Sequence, residues 1–77
     1  MAHILYAGYG IGNSTLNVTE AIVNSYHDGR REFSASNDLG GDPAPGEGKL
    51  LFIVWAQEGL LASGLTAEGD ERVITIP

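Results

Sequence analysis

Three sets of residues in this chain have types and spacings that could support chemistry. The first is Gly8-Tyr9-Gly10-Ile11-Gly12-Asn13. It matches the dinucleotide fingerprint G-x-G-x-x-G except at its third glycine, where Asn13 stands. That chemistry needs a helix to open at once, so that its N-terminus faces a pyrophosphate. Here the first helical pattern begins several residues later and no parallel βαβ unit follows, so a glycine turn between two strands accounts for the run better. The second set is Asn37, Asp38, Asp42 and Glu47, whose oxygens could meet calcium. Their spacing departs from an EF-hand loop. A solvated acidic loop is the simpler reading, and no cofactor is expected. The third set is the side chains of acid–base and nucleophilic catalysis. His3 and His27 have no neighbour at metal-ligand spacing, and His27 suits a helix C-terminus. Ser14, Ser25, Ser34, Ser36 and Ser63 lie in no nucleophile elbow. A non-enzymatic role is therefore expected.

Binding chemistry is better represented. Trp55, Tyr6, Tyr9 and Tyr26 could stack on a sugar face. Trp55 lies in the most apolar segment and reads as core. Tyr9, flanked by glycines, reads as the exposed aromatic. With Asn13, Asn37, Asp38 and Asp42 it makes a candidate polar patch on loops, where binding residues gather. Asn17 lies nearby, and both Asn13-Ser14-Thr15 and Asn17-Val18-Thr19 are glycosylation sequons, relevant only in a secretory compartment.

These residues must be held by strands. His3 to Ala7 read as a first strand ending in the glycine cluster, and Thr15 to Val18 as a short second one. Thr19 reads as the N-cap of a short helix over 20–27, with Val18, Ile22 and Tyr26 on one face and Gly29 past its end. Arg31 to Ser36 alternate as a half-buried strand, with Phe33 and Ala35 inward. Asn37 to Gly48 is a Pro/Gly-rich acidic loop with no regular structure. Lys49 to Gln57 is the strongest strand. Leu51, Ile53 and Trp55 share one face, and Leu50, Phe52, Val54 and Ala56 share the other. A strand apolar on both faces is ordinarily central and covered twice, and in a domain this small one cover could come from another chain. Glu58-Gly59 turns, Leu60 to Ala67 return, and Arg72 to Ile76 close the chain. The expected fold is mainly β: a small antiparallel β-sandwich of about six strands with one short helix, forming a single domain over residues 1–77.

Composition narrows the partners. The net charge is −6, from ten acidic residues against four basic ones. That argues against nucleic acid, whose binding draws on a basic face. Arg30-Arg31 is the only basic pair and reads as a solvated turn. The longest apolar run, Leu50 to Ala56, is too short for a helical membrane span. Without cysteines or a signal peptide a cytoplasmic location is expected, with secretion left open.

An ordered set of short motifs runs through most of the chain: Ala7-Gly8-Tyr9-Gly10, Asn17-Val18-Thr19, Gly29, Gly41-Asp42-Pro43, Pro45-Gly46 and Lys49-Leu50-Leu51-Phe52-Ile53. This set resembles the A-x-Y-G … D-V-T … G-D-P … G-x-x-K-x-L-x-V pattern of DUF3395, a domain found at the C-terminus of DnaJ-like proteins. Asn17 replaces the pattern's Asp. The resemblance implies a β-rich accessory or interaction module and supplies no catalytic residue. Two functions are thus expected: a binding module for glycan or protein, or a self-assembling homo-oligomer whose apolar strand face mates with other chains.

Overall fold

The computed structural model describes residues 1–77. The strands are β1 (His3–Ile11), β2 (Ser14–Asn17), β3 (Glu32–Phe33), β4 (Leu50–Gln57), β5 (Leu60–Ala67) and β6 (Ile74–Thr75), with one helix, α1 (Thr19–His27). The chain is mainly β, with six strands in two antiparallel sheets. A four-stranded sheet runs β2-β1-β4-β5, and β3 pairs with β6 in a two-stranded ribbon. Helix and ribbon together form the second layer, over one face of the large sheet.

The core lies between these layers. Ile4, Ala7 and Tyr9 from β1 meet Leu51, Ile53 and Trp55 from β4. Val18, Ile22 and Tyr26 from the helical stripe close over them, joined by Phe33, Ile74 and Ile76. The helix therefore follows its four-residue apolar period. Its C-terminus is a Schellman motif: Arg30 N–H donates to Ser25 O and Gly29 N–H to Tyr26 O, each at 3.0 Å. Gly29 sits at φ 104, a conformation that favours glycine. Tyr26 does more than fill space. Its hydroxyl accepts from Ala2 N–H at 2.9 Å and donates to Pro77 O at 2.6 Å.

Several expectations need correction. Thr19 is not the N-cap; it is the first helical residue, and the cap position is Val18, which has no side-chain cap bond. The capping oxygen belongs to Asn17, whose Oδ1 accepts from both Thr19 N–H (3.0 Å) and the Thr19 hydroxyl (2.6 Å). This frees Thr19 Oγ1 to accept from Ala7 N–H at 2.9 Å, tying α1 to β1. The glycine cluster is not a turn throughout. β1 runs through Gly8 and Gly10, and the reversal falls at Gly12-Asn13. The strand over 31–36 shrinks to Glu32–Phe33, because Ser36 Oγ accepts from Asp38 N–H and starts a 3₁₀ turn over Asn37–Leu39. That turn is regular structure inside a segment read as wholly irregular. Arg31 is not merely solvated: its guanidinium lies 3.9 Å from the Tyr26 ring centroid and donates to Tyr26 O. The closing strand shortens to Ile74–Thr75.

β4 is central, as its two-faced pattern requires, with β1 and β5 as neighbours. Only one of its faces is covered. Register puts Leu50, Phe52 and Val54 opposite Ala67, Leu65 and Ser63 of β5, on the side away from the helix. No helix is long and apolar enough to cross a membrane.

Candidate functional site

The uncovered face of the large sheet is built by one irregularity in β1. The pairing of β1 with β4 shifts between Ile4 and Tyr6, leaving Leu5 as an extra residue. Such a bulge changes which side chains share a face. Ile4, Ala7 and Tyr9 therefore all reach the core, while Tyr6, Gly8 and Gly10 turn outward. Across the sheet Tyr6 pairs with Val54, Gly8 with Phe52 and Gly10 with Leu50. The two glycines leave a floor without side chains. The Tyr6 ring leans across it, so close that a Cβ on Gly8 would lie 2.6 Å from the Tyr6 hydroxyl. Phe52, Leu50 and Leu65 form the other wall, and Ile11 and Thr15 close the hairpin end. The result is a shallow apolar groove of about 240 Å³.

Around the groove the apolar surface continues. Leu61 and Leu65 of β5 are 73% and 61% exposed. The remaining outward positions are small or uncharged: Ser63 and Ala67 on β5, Thr15 and Asn17 on β2, and His3 and Ala56 at one end. None of the chain's ten acidic or four basic side chains lies on this face. A contiguous apolar patch of this kind marks an interaction surface more often than an ordinary stretch of exterior.

The polar patch expected from sequence is placed differently. Tyr9 is not exposed; it is fully buried, because β1 passes straight through the glycines and points this ring at the core. Its hydroxyl donates to Asn37 Oδ1 at 2.7 Å. Burial pushes that hydroxyl above the ordinary tyrosine range, and the neighbouring Glu68 carboxylate adds to the effect. Tyr9, Asn37 and Asp42 do belong to one region. Asn13 is exposed at the β1–β2 turn, and Asp38 is exposed in the 3₁₀ turn.

What gathers that region is Lys49, which the sequence reading placed only as the start of a strand. It is 3% exposed and precedes β4. Its ammonium lies 2.8 Å from Asp42 Oδ1 and 3.3 Å from Glu68 Oε1, and it donates to Glu47 O and Ala44 O. Glu68 Oε1 also accepts from Lys49 N–H. The hydrogen bond to Asp42 holds the ammonium above the ordinary lysine value, and the same bond lowers the Asp42 carboxyl. Glu68 is also lowered: burial opposes its charge, but Lys49's backbone N–H and ammonium together prevail. Lys49 thus stays protonated and clamps the acidic loop; it is no nucleophile or base. Asp42, a calcium candidate by sequence, is engaged by this ammonium, and no group of three or more acids or histidines is gathered for a metal.

The clamp predicts a pH profile. Asp42 and Glu68 have lowered native values, so their contribution is present above the unfolded carboxyl range and is lost as pH falls. Lys49 and Tyr9 have raised native values, so theirs is present below the unfolded values and is lost as pH rises through the folded ones. Thermal midpoints should be nearly flat from about pH 5 to about pH 9 and fall on either side. Lys49→Met should lower the midpoint at neutral pH and shrink the acid limb, since Asp42 then gains less by ionising. An acid limb unchanged in that variant would mean the clamp does not govern it.

No family model matches the chain, and neither the curated proteins nor the solved structures contain a match.

Proposed function

We propose that this chain is a non-enzymatic interaction module that presents the uncovered face of its four-stranded sheet to a protein partner. The observation that carries this reading is the charge-free apolar face centred on Tyr6, Phe52 and Leu65, on a chain with a net charge of −6. Acidic loops keep such a chain soluble while one face stays sticky. The DUF3395-like motif set points the same way, toward an accessory module. Lys49, the one buried base, is neutralised by carboxylates and carbonyls rather than aimed into the groove. The test is Phe52→Glu, followed by circular dichroism and thermal melting. The reading requires the variant to fold with a midpoint within a few degrees of wild type, because Phe52 contributes to a surface. Loss of the folding transition would make this face core and refute the reading.

A glycan is the second reading, favoured by the rings of Tyr6 and Phe52 beside a backbone floor. The groove's polar side chains are only the Tyr6 and Thr15 hydroxyls, few for a sugar, so protein is preferred. A glycan array separates the two.

A further inference from the structure

We infer that the partner of the uncovered face is a second copy of this chain, packed face to face about a two-fold axis that runs along the strands between β1 and β4. This rests on the interaction-module reading and names its occupant.

The strand order supplies the argument. A two-fold parallel to the strands and lying between the inner pair sets β4 of one copy over β1 of the other, and the reverse. The inner strands differ in bulk. β4 presents Leu50 and Phe52, while in the same two cross-strand rows β1 presents Gly10 and, over Gly8, the leaning Tyr6 ring. Rotation about this axis preserves position along the strands. Phe52 of each copy therefore comes over the Tyr6 ring that covers the other's Gly8, and Leu50 over the other's Gly10 row. A ring-on-ring contact and a leucine above the groove each form twice, once in each direction, which is what an isologous interface demands. A two-fold across the strands would instead return β4 onto β4 and oppose the large residues.

Charge and area agree with this occupant. Two chains of net charge −6 repel at long range, and a mating face free of acids adds no close like-charge contact to that repulsion. Three strands of about 26 Å and one of about half that, about 4.8 Å apart, give a footprint of roughly 450 Å² per copy. Side-chain relief makes the accessible area larger, so the pair buries about 1,000 Å², the lower bound for a specific interface. The dimer is therefore concentration-dependent, with two sheets stacked about 10 Å apart in the manner of a sandwich.

The test is the mass of the full chain by light scattering and sedimentation from about 1 μM to about 1 mM. The expected result is a shift from 8.1 kDa toward twice that value over this range. Phe52→Glu and, independently, Leu65→Lys should hold the chain at the monomer mass throughout while circular dichroism stays native. A wild-type chain that is monomeric at the highest concentration overturns the dimer, yet leaves the interaction-module reading standing if Phe52→Glu folds. A dimer that persists in both variants also overturns it, since it would then form elsewhere, as through the free β5 edge. If both variants fail to fold, the face is core, and the dimer falls together with the reading beneath it.

Discussion

Gly10→Ala is expected to cost about 3 kcal/mol or more and to lower the melting midpoint by roughly 15 °C in a domain of this size. Two effects add. Gly10 has φ 154, a backbone conformation that side-chain-bearing residues rarely adopt. A Cβ there would also lie only 2.1 Å from the backbone oxygen of Ser14 and 2.5 Å from Thr15 Cα. Those atoms belong to β2, paired across the hairpin from β1, so they cannot swing aside as a flexible side chain would. Relief requires the β1–β2 hairpin to open, and with it the strand that leads into α1. Gly12→Ala is the control. Gly12 also has positive φ, 57, but nothing lies within 4 Å of a Cβ there. It should cost only about 1 kcal/mol, the ordinary penalty for a left-handed residue. Equal losses at the two positions in chemical-denaturation curves would show that conformation alone, and not the close approach to β2, demands glycine at position 10.

Gly64→Ala is expected to cost about 2 kcal/mol, through overpacking of the core. Gly64 sits in β5 opposite Ile53, on the face beneath the β3–β6 ribbon. A Cβ would come within 2.6 Å of Ile74 Cγ2 and 3.1 Å of its Cγ1. Ile74 is buried and branched at Cβ, so it has few rotamers to retreat into. Ile74→Ala alone leaves a cavity and should cost about 3 kcal/mol. The double variant should then be more stable than the two losses added together, by at least about 1 kcal/mol. Strict additivity would mean that the ribbon does not rest on β5 through this contact.

The elements legible in the sequence were those with unbroken periods. The alternation in 50–57, the return after Glu58-Gly59 and the four-residue stripe of Val18, Ile22 and Tyr26 each appear where their patterns place them. The two-faced β4 also marked the uncovered surface, because Leu50, Phe52 and Val54 cannot share a face with Leu51 and Ile53. Patterns failed where one residue served a distant one. The bulge at Leu5 breaks the alternation, so nothing local shows that Tyr6 faces outward and Tyr9 inward. The glycines beside Tyr9 suggested an exposed turn, whereas Gly8 makes room for the Tyr6 ring and Gly10 for β2. Lys49 reads as an ordinary strand start. Its burial depends on Glu68, nineteen positions away, and on how the loop carrying Asp42 folds back. The only local hint is the sole lysine of the chain, placed just after an acidic Pro/Gly segment.

The Tyr26 hydroxyl bridges Ala2 N–H and Pro77 O through bonds of 2.9 and 2.6 Å, so those two backbone atoms stand no more than about 5.5 Å apart. Entry and exit are thereby brought to a single point. A loop in an unrelated host, with its two stems spaced like neighbouring strands, could carry this domain as an insert with neither stem stretched. The same adjacency means that tension applied between Ala2 and Pro77 would load the two hydrogen bonds of the Tyr26 hydroxyl directly.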